Sequence, residues 1–213
     1  MSSPVRCPLC SSSQHYPLPV AGKGYHRCLA CELVWLDEAD HLDEVAEKAV
    51  YDGHDNRVDD PGYRRFLMRA FGEVLARVSP PASGLDFGCG PGPALVAMGR
   101  EAGYVMAGYD KFYADEPELL TRQYDFITST EVVEHLAEPR AVLDGLWARL
   151  HPGGVLVLQT QRVLGDERFK TWRYRHDPTH IVFFAEASFR ALAACWQAEV
   201  AFPHTDVAVF TKP

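Results

Sequence analysis

The sequence has no run approaching the roughly 20 apolar residues that a membrane span requires. Its first residues, Met1 to Arg6, contain no apolar core of a secretory signal. These two absences predict a soluble, cytoplasmic chain. Basic residues are in deficit: 21 Lys and Arg face 29 Asp and Glu, for a formal charge of −8. That balance disfavours a broad cationic surface for nucleic acid and leaves room only for a local patch. Internal repeats and low-complexity tracts are absent too. With 47% hydrophobic and 23% charged residues over 213 positions, the composition is that of a globular protein with one sizeable core and a small attachment.

The six cysteines are not scattered. Cys7-Pro8-Leu9-Cys10 and Cys28-Leu29-Ala30-Cys31 form two Cys-x-x-Cys pairs separated by 17 residues. In a chain with no export signal this spacing reads as a metal site, not a disulfide framework. Each pair presents two thiolates from one tight knuckle, and two knuckles close a tetrahedron around Zn²⁺. Cys7, Cys10, Cys28 and Cys31 are therefore the expected ligands of one structural zinc in a ribbon over residues 1–40. Such a site has no open position for chemistry. Residues 24–27 and 33–36 supply its short strands, and Gly22 and Gly24 suit a hairpin. Of the remaining cysteines, Cys89 falls in a glycine turn and Cys195 ends a helix, where it reads as core.

Residues 41–83 form a helical linker. Apolar positions recur at roughly helical spacing in residues 41–51. A second helix is expected over residues 63–78, with Phe66, Leu67, Ala70, Phe71, Val74 and Leu75 on one face and Pro80-Pro81 beyond its end.

From Gly84 to the end, strand and helix patterns alternate. Expected strands are 85–87, 104–109, 126–129, the unbroken apolar run 155–158, and a closing pair at 199–202 and 207–210. Expected helices are 93–102, 141–150 and 187–194, with a turn at His151-Pro152-Gly153-Gly154. The alternation implies an α/β, doubly wound, mostly parallel sheet with helices on both faces, and ligands bind outside the carboxyl ends of such strands.

Between the first strand and first helix lies Asp86-Phe87-Gly88-Cys89-Gly90-Pro91-Gly92. Crowded glycines let a ligand touch the backbone, and the free N–H groups at a helix start favour a polar or anionic group. The dinucleotide fingerprint fails here, because its third glycine position is Pro93. The string Asp-x-Gly-x-Gly-x-Gly instead resembles the first motif of class I methyltransferases that use S-adenosylmethionine (SAM). The resemblance implies a Rossmann-like domain over residues 84–213 with Asp86, Gly88, Cys89 and Gly90 around the cofactor. It also implies Asp110, twenty residues beyond Gly90 and at a strand end, as the acid that holds the ribose hydroxyls. Lys111 and Phe112 are the nearest candidates for the adenine, since the stretch after Asp110 is short for a domain of this class. The segment 41–83 resembles a lid over the cofactor, with Tyr51 and His54 as candidate lining residues. Cys89 packs beside the cofactor without acting as a nucleophile, as the sulfonium methyl needs no covalent intermediate.

Ser129-Thr130-Glu131-Val132-Val133-Glu134-His135 ends the next strand. A helical turn starting at Glu131 would put Glu131, Glu134 and His135 on one side. The Glu-x-x-Glu-His set resembles ubiquinone-pathway O-methyltransferases and small-RNA 3′-terminal 2′-O-methyltransferases, in the second of which a later histidine completes a metal site. His180 is such a histidine. Three readings stand open: Mg²⁺ or another divalent ion at Glu131, Glu134, His135 and His180; His135 or His180 as a general base without metal; or a purely structural role for the cluster. Residues 169–175, where aromatics alternate with cations, are a candidate wall for an acidic or planar acceptor. The string Trp-x-Tyr-x-x-Asp-Pro-Thr-His-x-x-Phe-Phe resembles small bacterial methyltransferases that carry an N-terminal ribbon.

These features together point to a SAM-dependent methyltransferase acting on a small or medium acceptor. An RNA methyltransferase is the second enzyme reading, because some ribosomal-RNA methyltransferases pair a zinc ribbon with this domain. A non-catalytic module in which the ribbon recruits a partner is the third.

Overall fold

The computed structural model describes residues 5–53 and 56–213. Three short strands come first: β1 (His15–Pro17), β2 (Tyr25–Cys28) and β3 (Val34–Leu36). Two helices follow, α1 (Glu44–Tyr51) and α2 (Pro61–Leu75). Both begin at aspartate caps: Asp43 accepts from the Ala46 N–H and Asp60 from the Tyr63 N–H. The Asp60 cap and Pro61 in the first turn start α2 two residues before the periodicity alone indicates. Leu67, Ala70, Phe71 and Val74 form its buried stripe.

The chain then alternates through β4 (Ser83–Phe87), α3 (Ala94–Glu101), β5 (Val105–Tyr109), β6 (Tyr124–Thr130), α4 (Pro139–Ala148) and β7 (Leu150–Gln159). It ends with α5 (Asp166–Thr171), β8 (Val182–Phe183), α6 (Glu186–Trp196), β9 (Glu199–His204) and β10 (Val207–Thr211). Six strands form one sheet in the order β5-β4-β6-β7-β10-β9. The pairs β5–β4, β4–β6 and β6–β7 are parallel, while β7–β10 and β10–β9 are antiparallel.

Side chains on successive strand residues point to opposite faces, and the two faces have separate cores. Val155, Val157, Val207 and Val209 pack with α2 and α3. Leu156, Leu158, Ala208 and Phe210 pack on the other side with Leu143, Leu146 and Phe189 from α4 and α6. The unbroken apolar run at 155–158 is the sequence signature of a strand covered on both faces.

Residues 151–154 are not a turn between elements. They lie within β7, where pairing jumps from Tyr124↔Leu150 to Phe126↔Val155 and Gly153 takes φ +79°. Only a short 3₁₀ turn, Pro117–Thr121, lies between β5 and β6, so β5 is the edge of the sheet. Cys195, expected in the core, is exposed on the solvent side of the last turn of α6. No helix of the described residues is long and apolar enough to cross a membrane.

The N-terminal strands build a second sheet, β1-β2-β3-β8. Its fourth strand comes from far along the chain, with Val34 opposite Phe183 and Trp35 opposite Val182. The Leu36 N–H donates to the Ile181 carbonyl at 2.8 Å, and the Ser188 hydroxyl donates to the Cys31 carbonyl at 2.8 Å. Tyr25 stands edge-on to Phe169, centroids 5.0 Å apart. Asp166, which opens α5, accepts from Tyr16 at 2.8 Å and from Arg27 at 3.0 Å.

Candidate active site and four-cysteine cluster

The two Cys-x-x-Cys pairs converge. Cys7 Sγ lies 3.6 Å from Cys31 Sγ and Cys10 Sγ lies 3.5 Å from Cys28 Sγ, and all four sulfurs fall within 4.8 Å of one another. A regular Zn–thiolate tetrahedron with bonds near 2.3 Å has S···S edges of about 3.8 Å, so the donor set fits that ion. Each pair ends in a left-handed residue, Ser11 at φ +61° and Glu32 at φ +59°. These residues turn the chain back after each knuckle.

A cavity of about 800 Å³ opens at the carboxyl ends of β4, β5 and β6, within the size range of small-molecule and cofactor sites. Gly88, Cys89 and Gly90 form part of its wall. Gly88 and Gly90 adopt φ +79° and +62°, and a Cβ on Gly90 would meet nothing within 4 Å. The turn therefore presents bare backbone. Cys89 is buried, and its thiol is pushed up to about 12 by burial and then by the negative charges of Asp86 and Asp110. It is held as a thiol, in keeping with a packing role.

Asp110 follows β5 and faces the same cavity. Its Oδ2 accepts the Gly90 N–H at 3.0 Å, while Oδ1 accepts those of Phe112 and Tyr113 at 2.9 and 3.2 Å. A carboxylate offers about four acceptor positions, so these three bonds fix its orientation and leave capacity for a ligand hydroxyl. Lys111 and Phe112 also belong to the wall. Asp86 is placed differently. It is buried beneath the turn, accepts the Thr128 hydroxyl at 2.8 Å and does not form part of the wall. Burial pushes its carboxyl up to about 7, and Asp110 adds to that direction.

The linker covers the cavity. Tyr51 at the end of α1 stands perpendicular to His135 at 5.3 Å and lies 5.9 Å from Phe112. Glu47 pairs with Lys111 at 2.8 Å, and Asp52 accepts the Tyr113 hydroxyl at 2.6 Å. Gly92 touches the linker so closely that a Cβ there would meet the Asn56 carbonyl. His54, the other lining candidate, lies outside the described residues.

The carboxylate–histidine group is narrower than the sequence spacing implies. Glu131 does not begin a helical turn: it takes φ +53°, and the 3₁₀ turn starts at Val133. Ligand atoms of Glu134, His135 and His180 lie within 4.8 Å of one another, and Glu131 is not part of that group. Of the four residues expected to come together, three thus do, and Glu131, with its left-handed backbone, is not among them. Glu131 remains in the cavity wall with His135 and His180.

Two backbone carbonyls set the imidazole tautomers. His135 Nδ1 lies 3.0 Å from the Thr179 carbonyl, and His180 Nδ1 lies 2.7 Å from the Tyr174 carbonyl. A carbonyl only accepts, so both Nδ1 atoms carry hydrogen. In the neutral form of either ring the lone pair would then be on Nε2, and His180 Nε2 lies 3.9 Å from Asp177 Oδ2. Glu134 is fully buried. It accepts the Tyr174 hydroxyl on Oε1, while its Oε2 is buried with no hydrogen-bond partner. Burial pushes Glu134 up to about 7. Burial, then the Glu134 charge, pushes Glu131 up to about 8.

Tyr174, Tyr63 and Phe66 are contributors that were not singled out as site residues. Tyr174 joins Glu134 to Thr160, whose hydroxyl is 3.1 Å away. Tyr63 and Phe66 enter the wall from α2. The aromatic–cation alternation at 169–175 pointed toward Tyr174, and the lid expectation for residues 41–83 covered Tyr63 and Phe66 without singling them out as site residues.

This architecture is the class I fold of SAM-dependent methyltransferases. The family described as "Methyltransferase domain" matches residues 61–199, and the chain belongs to it. Among curated proteins it is similar to the ubiquinone biosynthesis O-methyltransferase of Histophilus somni, 26% identical over 104 residues. That match covers 47% of this chain and 42% of the relative. It is also similar to the corresponding enzyme of Klebsiella pneumoniae, 29% identical over 92 residues, covering 41% and 36%. The chain thus spans about two fifths of the length of the curated relatives it matches. Among solved structures, magnesium protoporphyrin IX methyltransferase from Synechocystis PCC 6803 with bound S-adenosylhomocysteine (SAH) aligns at TM-score 0.56. The identity is 15%, over 79% of this chain and 94% of that one. A Burkholderia thailandensis 1,6-didemethyltoxoflavin-N1-methyltransferase with bound SAH aligns at 0.54 and 16%, over 93% and 99%.

Proposed function

We propose that the protein transfers the methyl group of SAM to a hydroxyl of a small acceptor, with His135 or His180 as general base. The observation that carries this reading is the shared wall. Bare Gly88 and Gly90, the oriented Asp110 carboxylate and two imidazoles protonated on Nδ1 all border one cavity. Gly88, Gly90 and Asp110 bind the cofactor in this reading, with Cys89, Lys111 and Phe112 beside it and Asp86 supporting the turn from below. SAM brings an activated methyl, so the chain has to align the acceptor oxygen and remove its proton. The ubiquinone and protoporphyrin relatives favour a small-molecule acceptor, and the deficit of basic residues weighs against RNA.

A metal-assisted version has its own support. Glu134 Oε2 lacks a hydrogen-bond partner although buried, and it sits with His135 and His180 in a group suited to a divalent ion. Those three residues would hold the ion, which would act as a Lewis acid on the acceptor oxygen. In the ribbon, the four thiolates would hold one zinc with a structural role.

Calorimetry with SAM and SAH tests the cofactor half: absence of binding to either would end the enzymatic reading. His135→Gln and His180→Gln test the other half. The catalytic base should lower kcat by about 10²–10⁴-fold while SAH affinity holds. If EDTA abolishes turnover and Mg²⁺ alone restores it, the metal-assisted version is correct.

A further inference from the structure

A second cavity, of about 720 Å³, adjoins the first. Phe66 and Glu131 belong to the walls of both, so the two spaces meet at these side chains. Glu131 is also the left-handed residue of the site, and such backbone recurs where a side chain must be aimed at a function.

The wall of the second cavity carries four arginines, Arg69, Arg162, Arg168 and Arg190, and four acids. Three of the acids are matched. Asp206 pairs with Arg69 at 2.7 Å, Glu186 with Arg190 at 2.5 Å, and Glu32 with Arg27 of the ribbon at 3.0 Å. Among the described residues Arg162 and Arg168 form no ion pair and Glu131 is the unmatched acid of this wall, although Glu186 and Asp206 lie close enough to act on Arg162. The chain's total charge is −8. Arg162 is held in place. Its two terminal nitrogens donate to the carbonyls of Val207 and His204 at 3.2 and 3.1 Å, and its guanidinium lies 4.7 Å from the Phe202 ring centre. Arg168 stands on α5, whose first residue Asp166 is fastened to the ribbon by Tyr16 and Arg27. Trp172 adds a flat apolar plate to the same wall and is packed against Tyr174 at 5.1 Å. Guanidinium groups suit carboxylate and phosphate by charge and by planar geometry.

We infer that this cavity is an acceptor subsite for a carboxylate- or phosphate-bearing end of the substrate. Arg162 and Arg168 take the anion, Trp172 takes a planar body, and the reacting hydroxyl points past Glu131 toward the cofactor cavity. The assignment rests on the methyltransferase reading above. It goes beyond that reading by stating the charge and shape of the acceptor.

The test uses the full chain, zinc-loaded and saturated with SAH, titrated at fixed ionic strength with phenyl phosphate, benzoate and phenol. At least one anion should bind about tenfold more tightly than phenol, and the stronger of the two tells carboxylate from phosphate. Arg168→Gln, at an exposed position, should weaken that anion about 5–10-fold, and Arg168→Lys should recover part of the loss. SAH affinity should be unchanged in both variants. Equal binding of anions and phenol, or an unchanged anion Kd in Arg168→Gln, overturns the subsite. Displacement of phenyl phosphate by a short RNA at lower concentration overturns the small-molecule assignment. A failure of SAH itself to bind strikes the cofactor reading, and the anion titrations without SAH then report on this cavity separately.

Discussion

Asp110 accepts the backbone N–H of Gly90 at 3.0 Å, tying the acid after β5 to the turn after β4. The two residues are twenty apart in sequence, yet parallel pairing of β4 with β5 brings their ends side by side. One carboxylate thus shapes the turn and faces the cavity.

Asp110→Ala is therefore expected to act twice, removing the hydroxyl acceptor and loosening Gly90. Hydrogen bonds to charged groups contribute about 1.5–3 kcal/mol each, so SAH affinity should fall about 100-fold or more. Calorimetry measures this, and circular dichroism checks that the fold persists. An unchanged SAH affinity would remove Asp110 from the cofactor site.

Gly88→Ala tests the turn from the other side. At φ +79° an L-residue is strained by about 1–2 kcal/mol, and the new Cβ would meet Val132 Cγ2 at 2.3 Å. Val132 is stiff and adjoins Glu131, so the collision should spread into the site. A lower Tm and at least about tenfold weaker SAH binding are expected. Adding Val132→Ala should restore part of the stability while the strain remains. A purely additive double mutant would argue against the contact.

The carboxyl of Asp86 gives a pH prediction. It is buried and raised to about 7 from an ordinary 3.8. Between those values the unfolded chain has lost the proton that the folded chain keeps, so stability falls as pH rises through this window and levels off above about 7. Glu131 and Glu134, raised to about 8 and 7, act with the same sign. Asp86→Asn keeps an acceptor for Thr128 and removes the burdened charge. It should stabilise the protein at pH 8 by up to about 4 kcal/mol, and by about 2–3 kcal/mol less at pH 5. Urea titrations at the two pH values read the difference; an equal effect at both would place the titration elsewhere.

The sequence made legible what is local. The glycine turn, Asp110 at a strand end and the two Cys-x-x-Cys pairs each follow from short spacing rules, and the structure brings each set together. The alternating apolar runs gave the sheet, though element ends moved by a few residues where a cap such as Asp60 decided them. Three things were not legible. The backbone pairing of Val34 with Phe183 leaves no trace in either segment's own pattern. The left-handed Glu131 breaks a helical reading that its neighbours support. Cys195 sits at a helical position whose exposure depends on how α6 lies against β9 and β10.

The pairing of β3 with β8 makes zinc removal informative. His180 lies two residues before β8, and the Leu36 N–H holds the intervening Ile181 carbonyl. Asp166 at the head of α5 is clamped by Tyr16 and Arg27. Among the described residues the glycine turn and Asp110 have no such tie to the ribbon. With zinc held by the four thiolates as proposed, a ribbon this small would gain folding free energy from the metal. A strong chelator, or Cys28→Ser, should therefore release one zinc per chain and disorder residues 25–36. Amide exchange should rise next in 166–171 and 180–184. Turnover should then collapse while SAH affinity changes only a few-fold, because His180 loses its support and Gly88, Gly90 and Asp110 keep theirs. If exchange rises only within residues 7–36 and turnover is preserved, the ribbon does not brace the acceptor side of the site. If SAH binding is lost in step with zinc, the two sheets unfold as one unit.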